Sequence, residues 1–347
     1  MIKKIYFVRL NNTKFGGAEN YLRRLSKALS KNNYDHELIN SIFPGFLPSW
    51  LKVILFNLQV LLLKKGRFYY SLDRIVCPDI YRAGDGVHKA FLISEDKSRL
   101  NPLHSIYLYL ERSCFVNAKS IIANSKMVKQ QIIDHYNIDP SKINIIYNGI
   151  EFNEVNYEKS FVKLSKEFHL KKEQSVILFV GSGFKRKGVK EFLEIFSQLK
   201  SQNTRAFIVG KDKSLKSYIT IAKELGIDKR VTFTGQRLDV NDFYTISDIL
   251  LFPTHYDPFS NVVLEAMSFG TVIFTTKSNG ASEILSPSFI MKTPHDEEII
   301  GSIDKLLMNK NELKKHKLDN LKLSKSFSIE KNLTQTLEVI NQIEKTN

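Results

Sequence analysis

Apolar residues fall in short bursts along this chain, separated by amphipathic stretches. KIYFVRL (Lys4–Leu10) reads as a strand and AENYLRRLSKALSK (Ala18–Lys31) as an amphipathic helix. His36–Ile42 predicts a strand, Pro48–Lys64 a helix and Arg74–Arg82 an extended segment. Leu103–Asn117 is helical, SIIAN (Ser120–Asn124) a short strand, Lys126–Tyr136 a helix and Ile143–Tyr147 a further strand. Asn148-Gly149 then signals a turn. Ile150–Tyr157 is polar and irregular, which places a linker near residues 149–170.

Alternation resumes with SVILFV (Ser175–Val180), a helix over Lys187–Ser201, a strand at Arg205–Val209, a helix over Ser214–Leu225 and a strand at Val231–Thr234. Strand Ile249–Phe252 leads into THYDPFSNVVLEAMSFG, a polar loop that becomes an apolar helix from Asn261. TVIFTT (Thr271–Thr276) is another buried strand, and the chain from Asp296 onward is mostly helical. Strands alternating with helices predict an α/β protein with parallel sheets. A length of 347 residues suits two such doubly wound domains, facing each other across a cleft. Ligands of these sheets bind beyond the carboxyl ends of the strands.

Composition narrows the setting. Hydrophobic residues make up 43%, ample for buried cores. Cys77 and Cys114 give no disulfide framework and no C-x-x-C metal spacing, and read as buried thiols in a reducing compartment. The apolar run in MIKKIYFVRLNN is too short for a signal peptide. The strongly apolar run Val53–Leu63 falls short of the about 20 residues that a bilayer-crossing helix needs. The expected location is therefore the cytoplasm, or peripherally the inner face of the cytoplasmic membrane.

Charge is uneven. The net charge is +15, and residues 1–150 hold 22 lysines and arginines against 11 acidic residues. Nucleic acid, an anionic membrane, a phosphorylated substrate or simply a lysine-rich solvated surface would each explain that excess. No zinc finger, RNP-type aromatic motif or long basic run supports nucleic acid. The segment FLPSWLKVILFNLQVLLLKK (Phe46–Lys65) is very apolar with a cationic end. It suits a membrane interface near a lipid-linked acceptor, or a helix buried on the sheet.

Three loops that follow strands stand out, the first two of them containing glycine. Phe15-Gly16-Gly17-Ala18-Glu19 would let a ligand approach the backbone closely and reach a helix N-terminus, or it is a plain tight turn. GSGFKRKG (Gly181–Gly188), with Ser182, Lys185, Arg186 and Lys187, fails both the Walker and the G-x-G-x-x-G spacing. It reads as a flexible basic loop suited to a diphosphate, or as solvated surface. In the third, Ser260 can cap a helix whose first N–H groups, on Asn261, Val262 and Val263, form an anion site. Asp257 and Glu265 flank that helix start. They would repel an anion at close range, but carboxylates accept hydrogen bonds well from the hydroxyls of a ribose or hexose. Glu265 lies among Val262, Val263, Leu264, Ala266 and Met267, an unusual place for a merely solvated glutamate.

That loop and helix resemble the signature of retaining glycosyltransferases of family four, which have the GT-B fold. Gly16-Gly17-Ala18-Glu19, Ile146-Tyr147-Asn148-Gly149-Ile150 and Gly181–Gly188 agree in order, so the resemblance covers nearly the whole chain. VGSGFKRKGVKEFLEIF, GKDKSLK, YDPFSNVVLEAMSFG and DIYRAGDGVH further resemble the lipopolysaccharide core α-glucosyltransferase subgroup. The resemblance implies an acceptor-binding domain over residues 1–155, a nucleotide-sugar domain over 156–328, and a helix over 329–347 crossing back to the first domain. It implies that Asp257, where glutamate is usual, faces the donor sugar and that Glu265 binds the ribose hydroxyls. Gly16, Gly17, Gly181, Ser182, Lys187, Ser260, Asn261 and Val262 complete the implied donor site. Arg186 and Lys187 would stabilise the leaving diphosphate, and Asp85 or His88 would orient or deprotonate the acceptor hydroxyl.

The implied reaction moves a hexose from a nucleotide-sugar, a UDP-sugar above others, to a lipid-linked or phosphorylated oligosaccharide such as a lipopolysaccharide core. No Asp-x-Asp motif is present, so no metal and no cofactor are expected. No carboxylate nucleophile for a double displacement is identifiable, so attack from the leaving-group face is implied. A sugar-nucleotide epimerase of the same fold, or a non-catalytic carbohydrate- or lipid-binding protein, are the rival readings.

Overall fold

The computed structural model describes residues 4–11, 16–95, 101–154 and 156–346. Phe15 of the first glycine loop and Val155 of the linker stretch lie outside them. The chain forms two compact units. The first comprises Met1–Glu151 with Phe327–Asn347, and the second Phe152–Ser326.

The first unit runs β1 (Ile5–Val8), α1 (Gly17–Lys31), β2 (His36–Ile39), α2 (Ser49–Leu62), β3 (Phe68–Ser71), β4 (Ile80–Ala83), α3 (His88–Ser94), α4 (Pro102–Asn117), β5 (Ser120–Ala123), α5 (Lys126–Tyr136) and β6 (Ile143–Ile145). Its six strands lie parallel in the order β2-β1-β3-β4-β5-β6. β4 and β5 are buried throughout, as parallel strands covered by helices on both faces must be. Local chemistry sets the helix ends. Asn101 caps α4 with Pro102 at its first position, and the Ser125 hydroxyl accepts the Val128 N–H at 3.1 Å to start α5.

The second unit continues with α6 (Tyr157–Phe168), β7 (Ser175–Val180), α7 (Phe184–Lys187), α8 (Val189–Gln198), β8 (Thr204–Val209), α9 (Leu215–Glu224), β9 (Val231–Gly235), α10 (Val240–Ile246), β10 (Ile249–Phe252), α11 (Asn261–Ser268), β11 (Val272–Thr276), β12 (Ile290–Met291), α12 (Glu298–Met308) and α13 (Lys310–Ser324). Its parallel sheet has the order β12-β11-β10-β7-β8-β9. The strand order reverses between β7 and β10, which makes the carboxyl ends of those two strands the natural ligand position.

The last helix, α14 (Ile329–Thr346), returns to the first unit and packs on α1. Leu333, Val339, Ile340 and Ile343 join Leu22, Leu25 and Leu29 in one buried cluster. Each such side chain contributes roughly 1.5–3 kcal/mol. The return is pinned by a parallel bridge between Ile150 and Ser328. The α/β class, the two parallel sheets and the helix crossing back thus match the reading of the sequence.

Several elements do not. β3 was not anticipated, because FYYS has polar tips and follows the apolar α2 run closely. Those tips are satisfied internally: the Tyr69 hydroxyl donates to the Val60 carbonyl at 2.9 Å. The expected extended segment Arg74–Arg82 is a strand only in its last residues, since Asp79 folds back to accept the Tyr69 N–H at 2.8 Å. α3 and α10 are short helices that the pattern did not separate from their surroundings. The stretch read as linker contains α6, started by Asn156 and ended by His169 at φ 54°. Cys114 is buried as expected, but Cys77 is half-buried.

Candidate functional site

In the second unit the loops after β7 and β10 come together. The β7 loop is not flexible coil. It is the helical turn α7, held at its start by Asp212, whose carboxylate accepts the Phe184 N–H at 2.8 Å. Gly188, at φ 80°, separates α7 from α8. A Cβ there would overlap the carbonyl oxygen of Pro253, so glycine lets α7 lie against the start of the β10 loop. That loop is tied down in turn: the His255 N–H and the Thr254 hydroxyl donate to the Arg186 carbonyl at 2.9 and 3.1 Å. His255 Nε2 lies 3.0 Å from Glu191 on α8.

This packing brings Lys187 and Asp257 into an ion pair. Both side chains are largely withdrawn from water, 14% and 8% exposed. Burial lowers the proton affinity of Lys187, Asp257 raises it and Arg186 lowers it again; the net shift is down. Arg186 donates to the Tyr256 carbonyl at 2.7 Å. The two cations expected to meet a diphosphate are therefore anchored on protein groups, which fixes their place before any ligand arrives.

The start of α11 differs from expectation in two ways. Ser260 occupies the cap position but its side chain makes no capping bond. The Val263 N–H is already bonded to the Ser260 carbonyl at 3.2 Å, so it is not one of three open donors. The cause is Asn279, which is wholly buried and accepts the N–H groups of Ser260 at 3.2 Å and Ala281 at 3.1 Å. It clamps the chain ahead of the helix. Asp257 is held by the same segment, donating its N–H to the Ser278 carbonyl at 3.0 Å and accepting the Gly280 N–H at 2.8 Å. Asn261 and Val262 are half-buried. Glu265 is half-buried among buried neighbours and accepts the Tyr244 hydroxyl at 3.1 Å. Gly181 donates its N–H to Val209 within the sheet at 2.9 Å, and Ser182 is exposed.

The remaining candidates lie in the first unit. Gly16 precedes α1 and Gly17 opens it. Glu19 folds back toward Gly16, and its carboxylate accepts from Arg9 at 3.2 Å. Arg9, at the end of β1, also reaches Asp73 beyond β3 at 3.2 Å and Asp85 at 3.1 Å. One guanidinium thus organises three carboxylates. Burial would raise the Asp85 proton affinity, but Arg9, Arg74 and Arg82 together hold it below the usual carboxylate range. Asp85 is 43% exposed at its side chain. His88 is buried at the first position of α3, with its Nε2 3.1 Å from His104 Nδ1. Its backbone N–H and that of Lys89 donate to Glu111, a fully buried carboxylate that also pairs with Arg74 at 2.8 Å.

Arg9, Asp73, Glu111, Tyr244, His255 and Asn279 escaped the sequence reading. Only Asn279-Gly280 carried a signal, that of a turn. Among the described residues no group of three or more His, Cys, Asp or Glu could hold a metal ion. A hollow of about 920 Å³ is lined by residues such as Gln198, Asp304 and Lys310, none of them a candidate.

Residues 161–322 match the family described as Glycosyl transferases group 1, and residues 86–154 match Glycosyltransferase Family 4. The chain belongs to these family 4, group 1 glycosyltransferases and has their GT-B fold. It is similar to the lipopolysaccharide glucosyltransferase WaaG of Escherichia coli K12, 29% identical over 242 residues, which is 65% of this chain and 63% of the relative. It is also similar to the capsular polysaccharide biosynthesis glycosyltransferase CapM of Staphylococcus aureus, 28% identical over 218 residues, which is 58% of this chain and 55% of the relative. The chain thus spans less than two thirds of either curated relative. The crystal structure of WaaG superposes with a TM-score of 0.82 at 20% identity, covering 97% of this chain and 99% of that one. That of Anabaena HepE in complex with UDP and glucose does so at 0.78 and 17%, covering 98% and 100%.

Proposed function

We propose that this protein is a retaining, metal-independent hexosyltransferase that uses a UDP-sugar and glycosylates a cell-surface saccharide of the lipopolysaccharide-core kind. The observation that carries this reading is the pairing of Lys187 with Asp257 at the reversal of the second sheet, with Glu265 eight positions further on the adjoining helix. A nucleoside diphosphate leaves well once the charge growing on its β-phosphate is stabilised. Lys187 and Arg186 supply the positive charge that stabilises it, and Glu265 receives the ribose hydroxyls. Asp257 turns from Lys187 toward the hexose when diphosphate takes over the lysine. Asp85 receives the acceptor hydroxyl. It is better exposed than His88, which serves as packing. Held as a carboxylate, Asp85 orients the hydroxyl, and the departing phosphate oxygen takes the proton.

The acceptor is lipid-linked. Support comes from α2, which buries Val53, Phe56 and Val60 but leaves Trp50, Leu58 and Leu62 at 41, 52 and 83% exposure, with Phe46 in the loop before it at 86%. Lys52 lies in this helix and Lys65 just beyond it in the chain, as suits an anionic membrane surface, while Lys64 is paired with Asp79 and Arg67 lies over the Tyr6 ring. Among the described residues no helix is long and apolar enough to cross a membrane.

A thermal-shift panel of nucleotides and nucleotide-sugars, run with chelator, tests the donor. UDP and one UDP-sugar should raise the midpoint by several degrees at roughly 100 times their dissociation constants. A shift only with ADP- or GDP-sugars would change the donor, and a shift only with added metal would remove the metal-independence.

A further inference from the structure

Glu265 is carried by α11, but it is not left to find its geometry alone. Tyr244 on α10 is wholly buried and directs its hydroxyl at the carboxylate, 3.1 Å from Oε2. The phenol ring cannot swing away. It stacks on Phe269 with centroids 5.7 Å apart and planes 25° apart. The Thr271 hydroxyl holds the Tyr244 backbone carbonyl at 3.1 Å. Thr271 and Phe269 both lie in the connection from α11 to β11, so that the connection grips Tyr244 on two sides.

We infer that Tyr244 is a positioning residue for nucleotide binding: its hydroxyl fixes the Glu265 carboxylate in the orientation that receives the vicinal hydroxyls of a ribose. This rests on the reading of Glu265 as the ribose-binding carboxylate. A glutamate side chain has several rotatable bonds and loses much rotamer freedom when it orders on a ligand. A donor fixed by packing removes most of that loss beforehand. A carboxylate has about four lone-pair positions, so a bond from Tyr244 is compatible with further bonds from a ribose. The alternative purpose, simple satisfaction of a buried phenol, would be served by any carbonyl and would leave ribose recognition untouched.

The test compares Tyr244→Phe, Glu265→Ala and the double variant with the unaltered protein. Phenylalanine keeps the ring and its stacking and removes one oxygen. UDP, GDP and ADP are titrated calorimetrically, and the tightest is compared with its 2′-deoxy counterpart. The inference predicts that Tyr244→Phe weakens the ribonucleotide about tenfold, the scale of one hydrogen bond to a charged group. The 2′-deoxy analogue should lose much less, so the ribose-to-deoxyribose ratio falls toward one. In the Glu265→Ala background the Tyr244 change should add almost nothing, because positioning has no target left. If Glu265→Ala collapses the ratio while Tyr244→Phe preserves it, the inference is wrong and the role of Glu265 stands. If Glu265→Ala leaves the ratio unchanged, or no nucleotide binds the unaltered protein, both fall. Equal weakening of ribo- and deoxyribonucleotide by Tyr244→Phe would mark a general packing role and also overturn the inference.

Discussion

Lys187 and Asp257 belong to the loops that follow β7 and β10, the two strands between which the second sheet reverses its order, and they close an ion pair there. Seventy residues of chain separate them. The pair exists because Gly188 admits the Pro253 carbonyl and because the Arg186 carbonyl receives the His255 N–H. Its energetics and its chemistry can be tested separately.

Lys187→Met leaves the mostly buried Asp257 carboxylate without its cation. The expected loss of stability is about 3 kcal/mol, the scale for breaking one side of a buried pair. The double variant Lys187→Met with Asp257→Asn should recover more than half of it, measured by urea unfolding. Transfer activity should fall by about a hundredfold or more in both. A single variant as stable as the double would show that Asp257 does not depend on Lys187.

The pH dependence of transfer follows from the same lysine. Its folded-state proton affinity lies below the ordinary 10.5, chiefly through burial. In the folded state the charged form is therefore disfavoured, a cost that is fully present at neutral pH, begins to be relieved as pH rises through the folded-state value and is gone above the unfolded value of 10.5. The kcat/KM for donor should fall on its basic side at a pH below 10.5, as the lysine loses its proton. That limb should move upward in kcat, where bound diphosphate retains the proton, and vanish from Lys187→Arg. A limb unchanged in Lys187→Arg would assign it to another group.

On the acid side, Asp85 and His88 predict different profiles. Asp85 is held below the usual carboxylate range, so it stays ionised. If it receives the acceptor hydroxyl, kcat/KM for acceptor should be flat between about pH 5 and 8. An acid limb inside that range would instead assign the acceptor hydroxyl to an imidazole. Asp85→Asn should cut transfer while sparing donor affinity, and His88→Gln should do less.

Gly188→Ala should destabilise the second unit by about 1–3 kcal/mol. The new methyl group meets a backbone carbonyl, which cannot move aside as a side chain could, and φ 80° strains any L residue. Urea midpoints and donor affinity should fall together. A neutral substitution would show that α7 does not need its close approach to Pro253.

Much of this was legible in the chain. Buried parallel strands such as SIIA and SVILFV announce themselves as apolar runs, and the acidic pair at Asp257 and Glu265 stands out against an apolar helix. What was not legible depends on partners far away in sequence. β3 stayed hidden because its tyrosines satisfy their hydroxyls on α2 and on α1, which no local pattern reveals. The Ser260 cap failed because Asn279, nineteen positions on, takes the backbone ahead of the helix. Arg9 gave no sign of its three carboxylates because Glu19, Asp73 and Asp85 come from separate segments.

The apolar face of α2 should bind vesicles containing phosphatidylglycerol and ignore those of phosphatidylcholine alone. Replacing Leu58 and Leu62 by serine should sharply weaken sedimentation with vesicles while leaving the thermal midpoint nearly unchanged, since they are 52 and 83% exposed. Unaltered vesicle binding by that variant would place the contact elsewhere.

The most direct measurement is the anomeric configuration of the product. Purified protein is incubated with chelator, an α-linked UDP-hexose and a lipopolysaccharide-core acceptor, and the new linkage is read by proton NMR. The account predicts an α-linkage formed by the unaltered protein and none by Lys187→Met. A β-linkage, or hydrolysis and epimerisation of the donor with no new linkage, would contradict it.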